Sequence, residues 1–137
     1  MYTMMQVCRE LDMTYQTLKF YCNEGLVPNV KRDHNNRRAF DEKDVKWIKD
    51  LTCLKKCGMS IQEMKKYLEL CLQGEATIVS RKKMLARKQE ELRASIKELE
   101  DSISYIGWKQ NFYDEVLSGK RPYVSNLIRT AEKTKNN

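Results

Sequence analysis

Few side chains in this chain of 137 residues could act as nucleophiles or metal ligands: five cysteines and a single histidine. Cys53 and Cys57 stand four positions apart, so on a helix their side chains are neighbours. A metal centre needs a closer and larger cluster of Cys and His, and His34 sits elsewhere, among basic residues. No metal and no cofactor is therefore expected. There is no Gly-rich phosphate loop, and no Ser-His-Asp set that one pocket could gather, so an enzyme is not expected either. Polyanion recognition is the chemistry on offer. Arg32, Arg37 and Arg38 crowd around Asn35-Asn36, and a polar run, Thr14-Tyr15-Gln16-Thr17, precedes Lys19. Guanidinium groups fit phosphate oxygens, and a Gln amide can pair with adenine through two hydrogen bonds.

Such groups need rigid elements to hold them. Thr3 is a good N-cap, with Gln6 placed to complete a capping box, and Met4, Val7, Cys8 and Leu11 share a face of the helix that follows. Thr14 caps a second helix over 15–24 with Leu18, Tyr21 and Cys22 at helical spacing, and Gly25 ends it with Pro28 just beyond. Two short helices joined by a tight turn form a helix-turn-helix, whose second helix enters the major groove by its N-terminal part. Thr14, Tyr15, Gln16 and Thr17 are thereby placed at base edges or adjacent phosphates. Residues 29–40 show no helical period, and Asn35-Asn36 suits a turn, so a two-stranded hairpin with a basic tip is expected. Arg37 and Arg38 on it become backbone or minor-groove contacts. Two further helices follow. One starts at the acidic Asp41-Glu42-Lys43-Asp44 and stops at Gly58; the other starts at the capping box of Ser60 and Glu63 and closes at Gly74.

The clearest periodicity comes last. Ile78, Leu85, Leu92, Leu99, Ile106 and Tyr113 recur every seven residues, with Lys82, Gln89, Ile96, Ile103, Gln110 and Leu117 as companions. All of the first set are apolar or aromatic, which makes a coiled-coil seam with polar interruptions. The helix runs roughly 60 Å, too long to hide this stripe on so small a head. Burial on a second copy predicts a homodimer, with Ile78, Leu85, Leu92, Ile96, Leu99, Ile103, Ile106 and Tyr113 in the interface.

The charge of +7, from 26 basic and 19 acidic residues, agrees with a polyanion partner, and the surplus sits mostly at the two ends of the chain. Few Gly and Pro, five and two, favour helices over tight-turned strands. No apolar run is long enough for a membrane span, and the first residues lack a basic and then apolar leader. A cytoplasmic location is expected, where the odd number of cysteines stays as thiols.

Residues 2–27 resemble the N-terminal signature of the MerR family of bacterial transcription regulators. There an arginine-aromatic-tyrosine-acid run and Glu-Gly-Leu precede a basic wing. This chain has Lys19-Phe20-Tyr21-Cys22, with Lys in place of Arg and Cys in place of the acid, then Glu24-Gly25-Leu26. The wing's usual Asn-Gly-Tyr-Arg-x-Tyr reads Asn35-Asn36-Arg37-Arg38-Ala39-Phe40, so Phe40 keeps the ring and loses the hydroxyl. The step Gly58-Met59-Ser60-Ile61-Gln62-Glu63-Met64 also matches, and the likeness extends through the coiled coil to Gly119-Lys120-Arg121-Pro122-Tyr123. The resemblance implies phosphate contacts by Lys19 and Tyr21 and a contact at Phe40. It also implies a dimer that bends and untwists a pseudo-palindromic operator, so that RNA polymerase, an indirect partner, can read promoter elements spaced too far apart. The segment Asp44-Val45-Lys46-Trp47-Ile48-Lys49-Asp50-Leu51-Thr52-Cys53-Leu54 is similar to the aldehyde- and electrophile-responsive branch, in which a cysteine matches Cys53. Lys49, Lys55 and Lys56 are cations close in sequence, the setting in which thiols become reactive. The alternative for Cys53 is a small buried core residue, which is also the reading of Cys8, Cys22 and Cys71; Phe20 is expected in the core.

The expected fold is mainly α: a winged helix-turn-helix head over 1–74 with a small β-hairpin wing, a long dimerisation helix over 75–117, and a basic tail over 118–137. The expected function is transcription regulation through double-stranded operator DNA. A coiled-coil adaptor whose head binds protein is the alternative, and so is the same regulator with a non-thiol effector.

Overall fold

Thr3 accepts a hydrogen bond from the amide of Gln6 (3.2 Å) while the Gln6 side chain accepts from the amide of Thr3 (2.8 Å), so the first helix begins where the capping box requires. The computed structural model describes residues 1–129. The part of the expected basic tail beyond them lies outside the described residues. The order is β1 (Tyr2–Thr3), α1 (Met4–Leu11), α2 (Tyr15–Asn23), β2 (Lys31–Arg32), β3 (Arg38–Phe40), α3 (Glu42–Lys56), α4 (Ile61–Leu72), a short 3-10 turn (Gly74–Thr77) and α5 (Ile78–Leu117). The side chains of Thr14, Asp41 and Ser60 cap α2, α3 and α4 as that of Thr3 caps α1. Between α1 and α2, Asp12 takes a left-handed conformation, and the Met13 amide closes back on the Cys8 carbonyl at 3.0 Å. Gly25, at φ +77, makes the corresponding turn after α2, which brings the Leu26 amide to the Tyr21 carbonyl (3.0 Å).

The sheet holds three antiparallel strands rather than the expected two, in the order β1-β3-β2. Tyr2 pairs with Phe40 and Thr3 with Ala39, while Lys31 pairs with Ala39 and Arg32 with Arg38. A two-residue strand is too short to show alternation, so β1 left no signal. It exists because α1 and β3 pack on one core, which carries the chain's start along the edge of β3.

That core is made by Val7, Leu18, Leu26, Phe40, Ile48, Leu51, Met59 and Met64, all fully buried. Each large apolar side chain removed from water contributes about 1.5–3 kcal/mol. Trp47 donates from its indole nitrogen to the Leu26 carbonyl (2.7 Å) and stacks on Tyr67, tying α3 both to the end of α2 and to α4. The first unit extends from Met1 to Leu92 and so includes the start of α5. Met84 packs on the core, and Lys88, largely buried, reaches Glu63 (3.2 Å), Glu91 (2.7 Å) and the Gly58 carbonyl (3.4 Å). Arg81 donates to Thr77 and to the Gly74 carbonyl, and the Thr77 hydroxyl donates to the Leu70 carbonyl, which fixes the 3-10 turn.

The second unit starts at Arg93. Its helix carries an aromatic ladder, Tyr105, Trp108 and Phe112, with successive ring centres 6.1 Å apart. Past Gly119, Arg121 folds back to pair with Glu115 (2.8 Å) and to lie over the Phe112 ring. No residue of α5 is fully buried. The seam is bare: Leu99 is 64% and Ile103 69% exposed. No described helix is long and apolar enough to cross a membrane.

Candidate nucleic-acid interface

Helix α2 has one buried and one open face. Leu18 and Tyr21 point into the core, whereas Tyr15, Gln16, Lys19, Phe20 and Asn23 are exposed. Gln16, Lys19, Phe20 and Asn23 follow one another at spacings of three, one and three, a single stripe along the helix. Thr14 and Thr17 hydrogen-bond each other at 2.8 Å as part of the cap, so their hydroxyls serve helix geometry first. Tyr15, Gln16 and Lys19 are the sequence-selected groups that project outward.

The wing is organised by Asp33. Its carboxylate accepts from the amides of Asn35 (2.8 Å) and Arg37 (3.0 Å), and Asn36 takes the left-handed turn position at φ +60, as its residue type suggests. The Arg37 amide, above all, holds the Asp33 carboxyl below its ordinary pKa. Arg32 donates to the Asn36 carbonyl (3.1 Å), and Arg38 donates to the side-chain oxygen of Asn23 (2.7 Å), linking wing to α2. Thr3, Met5, Tyr15, Arg32, Arg37 and Arg38 line one open cleft of about 470 Å³. Lys31 is engaged elsewhere. It lies 2.7 Å from the buried Asp44 and 2.9 Å from Asp41, which clamps the base of the wing to the N-terminus of α3. The Asp44 amide, then Lys31, holds the Asp41 carboxyl down to about 2, and Asp44 and Asp41 in turn raise Lys31.

Two aromatic side chains, Phe40 and Phe20, sit differently from what the sequence suggests, and Tyr21 joins Leu18 in the core as its helical spacing implies. Phe40 is fully buried and belongs to the core, so it cannot be the DNA contact expected of it. Its missing hydroxyl fits a ring enclosed by apolar neighbours. Phe20, expected in the core, is 44% exposed on the open stripe of α2. Tyr21 is only 3% exposed and belongs to the core, and burial raises its hydroxyl's pKa. Tyr21 lies three positions from Leu18 and so shares its inward face, whereas Phe20, about 100° away on the helix, faces out. Asn23 carries no sequence signal, because nothing in the sequence tells that it meets Arg38.

Cys53 and Cys57 are both exposed at the end of α3, so the reading of Cys53 as a buried core residue falls. Cys8 is buried, and Cys22 and Cys71 are partly so. Cys57 lines an apolar cleft of about 450 Å³ with Leu54, Met59, Leu85 and Leu92. Among the described residues no three metal-binding side chains converge.

A capped helix with an open polar stripe, flanked by an arginine-bearing hairpin, defines a winged helix-turn-helix DNA-binding head. Comparison with known proteins agrees. The family model for MerR HTH family regulatory proteins matches residues 2–71, and a second, for MerR DNA binding, matches 45–106. The chain belongs to the MerR family, and it is a sequence-specific DNA-binding transcriptional regulator. It is 33% identical over 114 residues to an HTH-type transcriptional regulator of Haemophilus influenzae, covering 83% of this chain and 84% of that one. It is 37% identical over 87 residues to the regulator AdhR of Bacillus subtilis, covering 64% and 62%. Among solved structures it resembles HiNmlR, a MerR family regulator lacking the sensor domain, bound to promoter DNA. The TM-score is 0.71 at 32% identity, over 85% of this chain and 89% of that one.

Proposed function

We propose that the protein works as a homodimer joined through the α5 seam, with two heads on the two halves of a pseudo-palindromic operator. The bare apolar seam carries this reading. A stripe of six heptad-spaced apolar residues left in water is costly, and a second copy of the same stripe is the simplest cover. In each head, Gln16 reads a base edge, Lys19 and the Tyr21 hydroxyl meet phosphates, and Arg37 and Arg38 hold the backbone or minor groove flanking it. Bending and untwisting of the duplex between the heads would realign promoter elements for RNA polymerase, and the deformation energy is met by phosphate contacts. That HiNmlR is held on promoter DNA in its crystal supports this use of the head. Cys53 is the proposed effector thiol. Its exposure on α3 supports access by small aldehydes and other electrophiles. An adduct there would bias the same dimer between bending and non-bending arrangements.

The test is Leu92→Asp with Leu99→Asp. Light scattering should report monomers, and high-affinity operator binding should vanish because two half-sites need two heads. A stable dimer in this variant would place the interface elsewhere. DNA affinity that does not respond to salt would favour the protein-binding adaptor instead.

A further inference from the structure

Arg32 and Arg38 are direct partners across β2 and β3, so two guanidinium groups share one face of the sheet. Like charges in such pairs repel, and long arginine side chains are otherwise free to move. Each is held by a neutral oxygen: Arg32 by the Asn36 carbonyl, Arg38 by the side chain of Asn23 in the last turn of α2. Among the described residues no carboxylate forms an ion pair with Arg32, Arg37 or Arg38. The neighbouring thiol supplies no counter-charge either. Burial pushes Cys22 up, although Arg38 and Arg32 pull the other way, so it is neutral at ordinary pH. The family's acid at this position is absent from this chain.

We propose that Asn23 is a positioning residue for DNA binding: it fixes the Arg38 guanidinium between α2 and the wing while leaving its full positive charge for a phosphate. An amide oxygen directs the fork by one charge-assisted hydrogen bond, whereas a carboxylate would direct it and cancel it. The wing's orientation relative to the recognition helix is thereby set by a side chain of that helix. This inference rests on the reading of Arg38 as a DNA contact.

Operator affinity of the full chain, measured by fluorescence anisotropy across a salt series, separates the cases. Arg38→Ala should weaken binding and make the slope of log K against log salt shallower by about 0.9. Asn23→Ala should weaken binding about tenfold, the size expected for a hydrogen bond to a charged group, with an unchanged melting temperature. Asn23→Ala added to Arg38→Ala should cost nothing further. Asn23→Asp should fold as well as the parent but bind more weakly, with a shallower salt slope, because it neutralises the cation it holds. If Arg38→Ala weakens binding while Asn23→Ala does not, or if the two losses add, Asn23 does not position Arg38. If Arg38→Ala changes nothing, the contact assigned to Arg38 falls first and the inference falls with it. Parent-like binding by Asn23→Asp would overturn the charge argument.

Discussion

Arg37 and Arg38 differ in surroundings, and that difference decides what each contributes. Arg37 lends its amide to Asp33 and, among the described residues, leaves its guanidinium uncommitted to any carboxylate, whereas Arg38 is also braced on α2. Replacing both by Ala should flatten the salt dependence of operator binding by about 0.9 for each phosphate no longer neutralised, read from binding isotherms over a salt series. Tyr21→Phe should leave the melting temperature close to the parent's, since the ring and its packing stay, and should lower affinity only by the hydroxyl's share. Asp41 gives a pH signature. Its carboxyl is depressed in the folded protein to about 2 from 3.8, so its stabilising effect is present above pH 4 and fades as pH falls through 2. Asp41→Asn retains a capping oxygen and should make the fall in melting temperature between pH 4 and 2 shallower. Cys53 is open to solvent and Cys8 is not. Cys57 is as open as Cys53, so exposure narrows the choice to these two, and the proposed effector role falls to Cys53. Mass spectrometry after formaldehyde or methylglyoxal treatment should find the first adduct on Cys53 and not on Cys57, and Cys53→Ser should bind the operator normally but fail to induce a reporter under aldehyde. First labelling of Cys8 or Cys22, or normal induction by that variant, would remove Cys53 from the mechanism.

The helices are legible in the sequence because their starts are written in single residues. Thr3, Thr14, Asp41 and Ser60 each cap where spacing places a helix start, and Gly25 and Gly58 close helices in left-handed conformations. Ser60→Ala should therefore destabilise the head by about 1 kcal/mol in urea titration, since it removes the acceptor for the Glu63 amide. The wing is legible too, through Asn35-Asn36 and the lack of helical period. What stays hidden depends on distant partners. Strand β1 exists only because β3 offers an edge, and the 3-10 turn before α5 only because Thr77 and Arg81 satisfy the carbonyls of Leu70 and Gly74. The fate of Phe40 is set by which face of β3 meets the rest of the core, which a strand of three residues cannot resolve, whereas the place of Tyr21 beside Leu18, with Phe20 outside, follows from helical spacing. The stripe of Gln16, Lys19, Phe20 and Asn23 is half visible: its polar members Gln16 and Lys19 stand out by type, its phenylalanine reads as core, and Asn23 reads as nothing in particular.

In the whole molecule the head buries its core within a single chain, and α5 leaves its apolar stripe exposed. Val7, Leu18, Ile48 and Leu51 close the head's core without help, while Leu92, Leu99 and Ile103 remain in water. In the proposed dimer a single head would hold DNA by charge, and selectivity for a two-fold site would require the pair. The most direct measurement is sequencing of genomic fragments retained by the wild-type protein at moderate salt, beside those retained by the Leu92→Asp, Leu99→Asp variant. Wild type should enrich fragments that share a pseudo-palindrome whose half-sites are separated by whole helical turns, and the variant should enrich none. Fragments with no common motif, or the same motif recovered by the variant, would contradict the account.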